Sequence, residues 1–304
     1  MSTKAQPYIS VVIPAYNEAG YLPRALESLA DQTYRNFEAI VVDNASTDAT
    51  AAIARSYGAR VIHEQQVGVC AARDAGTKAA RGQIIVSTDA DTKFEPDWLA
   101  KIAVGFCDPV VVLVAGPPRF IKAPLWGKAY PRLLFGLIHG WHSLTGELFY
   151  VSACNLAFRK SAWEGYNPKL TQGGDELFVI RQLRTKGKFR YLASNPVNTS
   201  SRRLKKGLLY NFVMTFMGYY LGDYIISKLT NRSLFGSYPA IRDRNSQRAT
   251  GWKTASFVIV VVAFLYAMEA HPAMAHAISR HRPHLHSFHR IHIVPRIDPD
   301  GRKF

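Results

Sequence analysis

Cysteine is scarce in this chain: Cys70, Cys107 and Cys154 are the three among 304 residues. An odd count with no Cys-x-x-Cys argues against a disulfide framework and against a cysteine-ligated zinc site, and fits a reducing compartment. No Gly-x-Gly-x-x-Gly follows the first apolar run, which disfavours a dinucleotide oxidoreductase. Residues 14–24 contain no glycine-rich phosphate loop with a lysine, the feature that would support nucleotidyl transfer. Met1 to Tyr8 carry no apolar signal-peptide core, so the catalytic region is expected to face the cytoplasm. The most apolar late segment, Ala255 to Met268, falls short of the roughly twenty residues needed to cross a bilayer.

Acidic residues are also short. There are 22 Asp and Glu against 38 Lys and Arg, a formal net charge of +16. Residues 1–115 are nearly balanced, and the basic excess crowds into the last third. Such a region attracts nucleic acid or an anionic membrane surface. The apolar segments beside it favour the membrane, and no nucleic-acid partner is expected. Arg202, Arg203, Lys205 and Lys206 precede Leu208 to Ile226, an aromatic stretch interrupted by Asn211 and Asp223 that reads as an interfacial helix. For Ala255 to Met268 a tilted span, a re-entrant segment and a membrane-lying helix all stay open. If both segments crossed, Lys228, Arg232, Arg242, Arg244 and Arg248 would face outward, against the positive-inside bias. Monotopic attachment, or one span at most, is the expectation. The tail from His271 is rich in His, Arg and Pro and is expected to be disordered. The domain reading is therefore a catalytic domain over 1–200, a basic and apolar membrane-associating region over 201–270, and a tail over 271–304.

The first 115 residues alternate strand and helix patterns. Apolar runs at 9–14, 37–43, 60–63, 83–87 and 109–115 read as strands. Amphipathic or Ala-rich stretches at 21–29, 46–57, 68–80 and 96–106 read as helices, with Ser46 and Thr47 as candidate N-caps of the second. Regular alternation of this kind predicts an α/β fold with a mostly parallel sheet flanked by helices. Residues 120–150 are apolar and aromatic and fit a core helix or a membrane-surface helix equally. A strand over 152–159 and a helix over 176–186 follow.

Thr88-Asp89-Ala90-Asp91 ends the fourth strand. The carboxyl edge of an open α/β sheet is where ligands bind. Two carboxylates one residue apart suit a divalent cation shared with substrate phosphates, and also suit a turn followed by a helix cap. The neighbouring motifs decide between these. They are Val11-Val12-Ile13-Pro14-Ala15-Tyr16-Asn17-Glu18, Val41-Val42-Asp43-Asn44-Ala45-Ser46-Thr47-Asp48, Gly68 to Gly76 with Arg73, Ser152 to Arg159, and Gly173-Gly174-Asp175-Glu176. Each alone is weak. Together, in this order and spacing, they resemble the family 2 inverting glycosyltransferases of GT-A fold over about residues 8–195.

The resemblance implies roles residue by residue. Tyr16 would stack on the nucleotide base, Glu18 would contact base or ribose, and Asp43 would accept the imide N–H of uracil. Arg73 would lie by the diphosphate, since an arginine pairs bidentately with phosphate oxygens. Asp89 would contact ribose or sugar, and Asp91 would coordinate Mn²⁺ or Mg²⁺. Asp175 would be the base that takes the proton from the acceptor hydroxyl. The family commonly shows Glu-Asp where this chain has Gly174-Asp175-Glu176, so Glu176 stands as the alternative base or as a helix-start acid. Asp74 departs from the usual Asn and receives no role. Cys70 and Cys154 read as small buried residues, and His139 and His142 as helix-face positions.

The Gln-x-x-Arg-Trp element of processive polysaccharide synthases is absent after Asp175. That argues for a single transfer per encounter, and the resemblance implies that it is inverting and metal-assisted. The donor would be a UDP-sugar and the acceptor lipid-linked or membrane-proximal, in cell-envelope synthesis at an anionic membrane surface. Nucleotidyl transfer and a non-catalytic, membrane-surface nucleotide-sugar binding protein are the rivals.

Overall fold

The structure is a computed structural model that describes residues 6–168, 175–202, 204 and 207, with Asp175 by its backbone only. These residues belong to the first of two compact units, Met1–Arg244. The segments Leu208 to Ile226 and Ala255 to Met268 and the tail from His271 lie outside the described residues.

The chain opens β1 (Ile9–Ala15), α1 (Leu22–Ala30), β2 (Phe37–Asp43), α2 (Thr50–Ser56), β3 (Arg60–His63), α3 (Val69–Ala79) and β4 (Ile84–Ser87). It continues β5 (Thr92–Lys93), α4 (Trp98–Gly105), β6 (Val111–Ala115), β7 (Pro118–Ile121) and α5 (Leu125–Thr145). It closes with β8 (Leu156–Arg159), α6 (Asp175–Leu183), β9 (Lys188–Tyr191) and β10 (Val197–Ser200). A seven-stranded sheet runs β3-β2-β1-β4-β8-β6-β9. All its pairings are parallel except those of β8, which runs antiparallel to both β4 and β6. The mostly parallel α/β architecture read from the sequence is present. A second sheet, β5-β10-β7, sits at the exit of β4.

The central strands are apolar on both sides because helices cover both faces. Ile9, Val11 and Ile13 of β1, Val41 of β2 and Ile84 and Val86 of β4 face a core shared with α1 and α4. Val12, Ile40, Val42 and Ile85 face the opposite core with α3, α5 and α6. Strand alternation sorts the residues between the two faces. A Cβ on Gly76 of α3 would stand 2.4 Å from Val12 Cγ1 and 2.8 Å from Val42 Cγ2. This glycine lets α3 lie close enough to β1 and β2 to bury Arg73, one turn earlier, to 3% exposure.

Several boundaries differ from the sequence reading. Ser46 and Thr47 do not cap α2, which begins at Thr50. Ser46 Oγ instead accepts the Asn17 N–H at 3.0 Å, and the Thr47 N–H donates to Asn17 Oδ1 at 2.8 Å. A clasp between two loops has won these hydroxyl and amide groups; the N-cap is Ala49, and Asp48 just before it accepts the Thr50 N–H at 2.9 Å. The 152–159 strand begins only at Leu156, because Ala153–Asn155 form a turn of 3₁₀ helix. Residues 125–145 form one helix, α5, with one face in the core and one exposed. Phe135 and Ile138 are buried in the core, while Leu133, Leu137 and Trp141 lie on an exposed stripe. No helix among the described residues is long and apolar enough to cross a membrane.

Gly76→Ala should destabilise the protein by about 1–3 kcal/mol, because two β-branched side chains held in a buried sheet must shift. The roughly 1 kcal/mol gained by replacing glycine in a helix is smaller than the upper part of that range. Urea unfolding followed by circular dichroism measures the difference; a variant more stable than wild type would contradict the close packing.

Candidate active site

Three adjacent parallel strands deliver acids to one edge. β1 leads into Tyr16 and Glu18, β2 ends at Asp43, and β4 leads into Asp89 and Asp91. The loops after β1 and β2 each contain a non-glycine residue in the left-handed region, Asn17 at φ 52° and Ala45 at φ 60°. The Asn17 clasp to Ser46 and Thr47 holds both loops, an over-determination that such conformations need.

Asp43 is buried and partnered on both oxygens. Oδ1 accepts the Ser46 N–H at 3.1 Å, and Oδ2 lies 3.1 Å from His63 Nδ1. His63 Nε2 lies 2.8 Å from Arg55 Nη2. A guanidinium only donates, so Nε2 accepts and the ring proton sits on Nδ1, pointing at Asp43. His63 therefore orients the carboxylate that the sequence assigns to the base. β2 and β3 are in register at Asp43 and His63, which is why the two meet.

Arg73 projects from α3 to Asp89, with Nη2 to Oδ1 at 2.7 Å. The guanidinium side is 4% exposed and the carboxylate side 36%. Arg73 does form a salt bridge, buried on the arginine side and open on the acid side. Asp89, expected to meet ribose or sugar, is held by this arginine with an open flank. Asp74 acquires a role that the sequence did not indicate. Its Oδ1 accepts the Tyr166 N–H at 3.0 Å and its Oδ2 pairs with Lys78 at 2.6 Å, tying α3 to the segment that leads toward α6.

Asp91 is reached from β10. Thr199 Oγ1 donates to Asp91 Oδ1 at 3.3 Å. Arg202 Nη2 lies 3.0 Å from Asp91 Oδ2 and 2.8 Å from Glu18 Oε1, and Arg202 Nη1 donates to Glu18 Oε2 at 3.0 Å. Sequence reading missed Arg202 as a site residue and grouped it with a membrane-directed basic cluster. The signal is weak because the contact spans the whole domain. β10 pairs antiparallel with β5, Thr199 opposite Thr92, so the chain arrives beside Asp91 through the small sheet.

Asp175 heads α6, and its side chain lies outside the described residues. Glu176 is buried and electrostatically coupled to Arg73. Beneath the site, Thr88 Oγ1 donates to the Cys154 carbonyl at 2.8 Å. Asn155 accepts from Trp98 Nε1 at 3.0 Å and donates to the Asn195 carbonyl at 2.8 Å. These bonds fix the 153–155 turn as the floor. Burial raises the Cys70 thiol to about 11 and pushes the Cys154 thiol up further, so both stay protonated, as small buried residues. His142 Nε2 accepts the Tyr191 N–H at 3.3 Å, a structural bond on a helix face.

Asp91 offers hard carboxylate oxygens, the ligand type that Mg²⁺ and Mn²⁺ take. No cluster of three or more His, Cys, Asp or Glu able to hold a metal occurs among the described residues. With one carboxylate from these residues, water, and in the complex a substrate phosphate, would supply most of a divalent cation's shell, as Mg²⁺-type sites are commonly built.

Asp89→Ala should destabilise the fold more than Arg73→Met. The first takes one carboxylate partner from a guanidinium buried at 3% exposure, at a cost of about 1–3 kcal/mol. The second leaves Asp89 able to hydrate. Paired chemical melts decide it, and equal losses would remove the asymmetry.

A family model for glycosyl transferase family 2 matches residues 10–166, more than half of the chain. The glycosyltransferase AglE of Haloferax volcanii is 34% identical over 138 residues, covering 43% of this chain and 45% of that protein. Among solved structures, the mannosyltransferase PcManGT of Pyrobaculum calidifontis, in complex with GDP-Man and Mn²⁺, superposes with a TM-score of 0.54. It is 22% identical and covers 65% of this chain and 58% of that one. Staphylococcus aureus TarS 1–349 in complex with UDP gives 0.50 at 20% identity, covering 65% and 62%. The chain matches less than two thirds of the length of each of these three. The structural likenesses show the GT-A fold. The family pattern runs from β1 to Tyr166, the span that sets Asp43, Arg73, Asp89 and Asp91 at one sheet edge, and the chain belongs to glycosyl transferase family 2.

Proposed function

We propose that this transferase moves one sugar per encounter, with inversion, from a UDP-linked donor to a lipid-linked or membrane-proximal acceptor. One observation carries the donor side. The acids and Arg73 that would grip a nucleoside diphosphate all gather at the carboxyl edge of β1, β2 and β4. Asp43, oriented by His63, accepts the imide N–H of the base, and Tyr16 stacks on it. Arg73 supplies positive charge beside the diphosphate, and Asp89 uses its open flank for ribose or sugar. Asp91 would hold Mn²⁺ or Mg²⁺. Such an ion, when bound, stabilises negative charge on the departing nucleoside diphosphate. Complexes of PcManGT with GDP-Man and Mn²⁺ and of TarS with UDP support a nucleotide-linked donor and a divalent ion.

Asp175 takes the acceptor proton. It occupies the first position of α6, where the helix dipole favours a carboxylate over a carboxylic acid. The exposed stripe of α5 supports the membrane side of the reading. Leu133, Leu137, Trp141 and Leu144 follow helical spacing and are half or more exposed. No acidic residue occurs from Arg119 to Gly146, while Lys122, Lys128 and Arg132 do. Apolar and basic residues so disposed suit an interfacial helix on an anionic leaflet.

The test is a panel of UDP- and GDP-sugars with Mn²⁺ in detergent, scored for nucleoside diphosphate release and for the anomeric configuration of the product. Asp91→Ala and Asp175→Ala are each expected to lose at least about a hundredfold in rate. Unchanged release by the first would overturn the metal assignment, and normal transfer by the second would overturn the base. Leu133→Glu with Leu137→Glu should weaken sedimentation with phosphatidylglycerol vesicles; binding equal to wild type would remove α5 from the membrane surface.

A further inference from the structure

Arg202 joins two acids from different parts of the site. Its guanidinium forms a two-bond fork with Glu18 at 2.8 and 3.0 Å and touches Asp91 at 3.0 Å. It also lies 4.9 Å from the centre of the Tyr21 ring. The Glu18 side chain is 3% exposed and that of Asp91 8%, against 25% for Arg202. Carboxylates so buried need a positive partner, and here an arginine supplies it.

The same Asp91 is the residue proposed above for a divalent cation. A guanidinium and a divalent cation repel each other and compete for the same oxygens. A donor diphosphate changes the balance, because it adds anionic oxygens that an arginine fork matches as well as it matches a carboxylate. Arg202 is anchored for such a change. Glu18 holds it by two bonds and Asp91 by one, so Asp91 is the partner more easily surrendered.

We propose that Arg202 is a further donor-site residue that neutralises Glu18 and Asp91 before the donor binds, then exchanges Asp91 for the diphosphate when the donor arrives with its divalent cation. The proposal rests on Asp91 as the metal ligand. It assigns to the chain beyond β10 a part in donor recognition that the first 200 residues do not contain.

Competition has a signature that a structural role lacks: one affinity rises while the other falls. Mn²⁺ binding to the nucleotide-free full chain is read by electron paramagnetic resonance, and UDP binding at saturating Mn²⁺ by calorimetry. Arg202→Gln is expected to bind Mn²⁺ about tenfold more tightly and UDP about tenfold more weakly, each near 1.4 kcal/mol. Loss of packing alone would weaken both. Unchanged or weaker Mn²⁺ binding overturns the competition, and unchanged UDP binding overturns the exchange. If Arg202→Gln fails to fold, Arg202→Lys carries the test. It keeps the charge and loses the fork, so Mn²⁺ binding should stay near wild type and UDP binding should fall several-fold; wild-type UDP binding by this variant counts against the proposal. A wild-type protein that takes neither UDP nor GDP with Mn²⁺ overturns the proposed function and this inference together. Wild-type binding with unaltered variants overturns this inference alone.

Discussion

Glu18, Asp43, Asp89 and Asp91 converge on one edge of a sheet, and like charges at close quarters repel unless partners of opposite charge or hydrogen-bond donors sit among them. Partners come from three directions, two of them charged guanidinium groups and the third the N–H of the neutral His63 ring. Arg73 reaches Asp89 from α3, His63 reaches Asp43 from β3, and Arg202 reaches Glu18 and Asp91 from beyond β10. Much of the architecture serves these approaches. Gly76 lets α3 close on the sheet, the register of β2 and β3 sets His63 opposite Asp43, and the small sheet brings β10 to β5. Arg73 keeps its charge despite desolvation because Asp89 and, further off, Glu176 hold it.

The division between the two cores follows from the same sheet. Alternate residues of β1, β2 and β4 point to opposite faces, so continuous apolar runs were the right mark of strands buried on both sides. β8 breaks the parallel order by running antiparallel between β4 and β6. It carries the 153–155 turn under Asp89 and Asp91, where Thr88 and Asn155 tie it down.

What was legible in the sequence was local. Strands ending in Asp43 and Asp89, the helix with Arg73, and the alternation that gives an α/β fold all rest on short-range patterns. The misreadings came from contacts between distant segments. Ser46 and Thr47 look like N-caps until Asn17 claims them from the neighbouring loop. Asp74 shows no purpose until Tyr166 arrives to use it. Arg202 looks like the head of a basic stretch, since nothing within a window of helical or strand length connects it to Glu18. Residues 120–150 gave two answers because α5 has two faces, one in the core and one in solvent.

The late position of β10 bears on how the molecule is made. Domains fold as units while the chain is synthesised at about 5–20 residues per second. Tyr16, Asp43, Arg73 and both acids after β4 leave the ribosome well before Thr199 and Arg202. Glu18 and Asp91 are therefore synthesised well before the arginine that pairs with both. A domain that folds as a unit brings the two acids together only once Arg202 can meet them, so their pairing is tied to the emergence of β10 and the residues just after it.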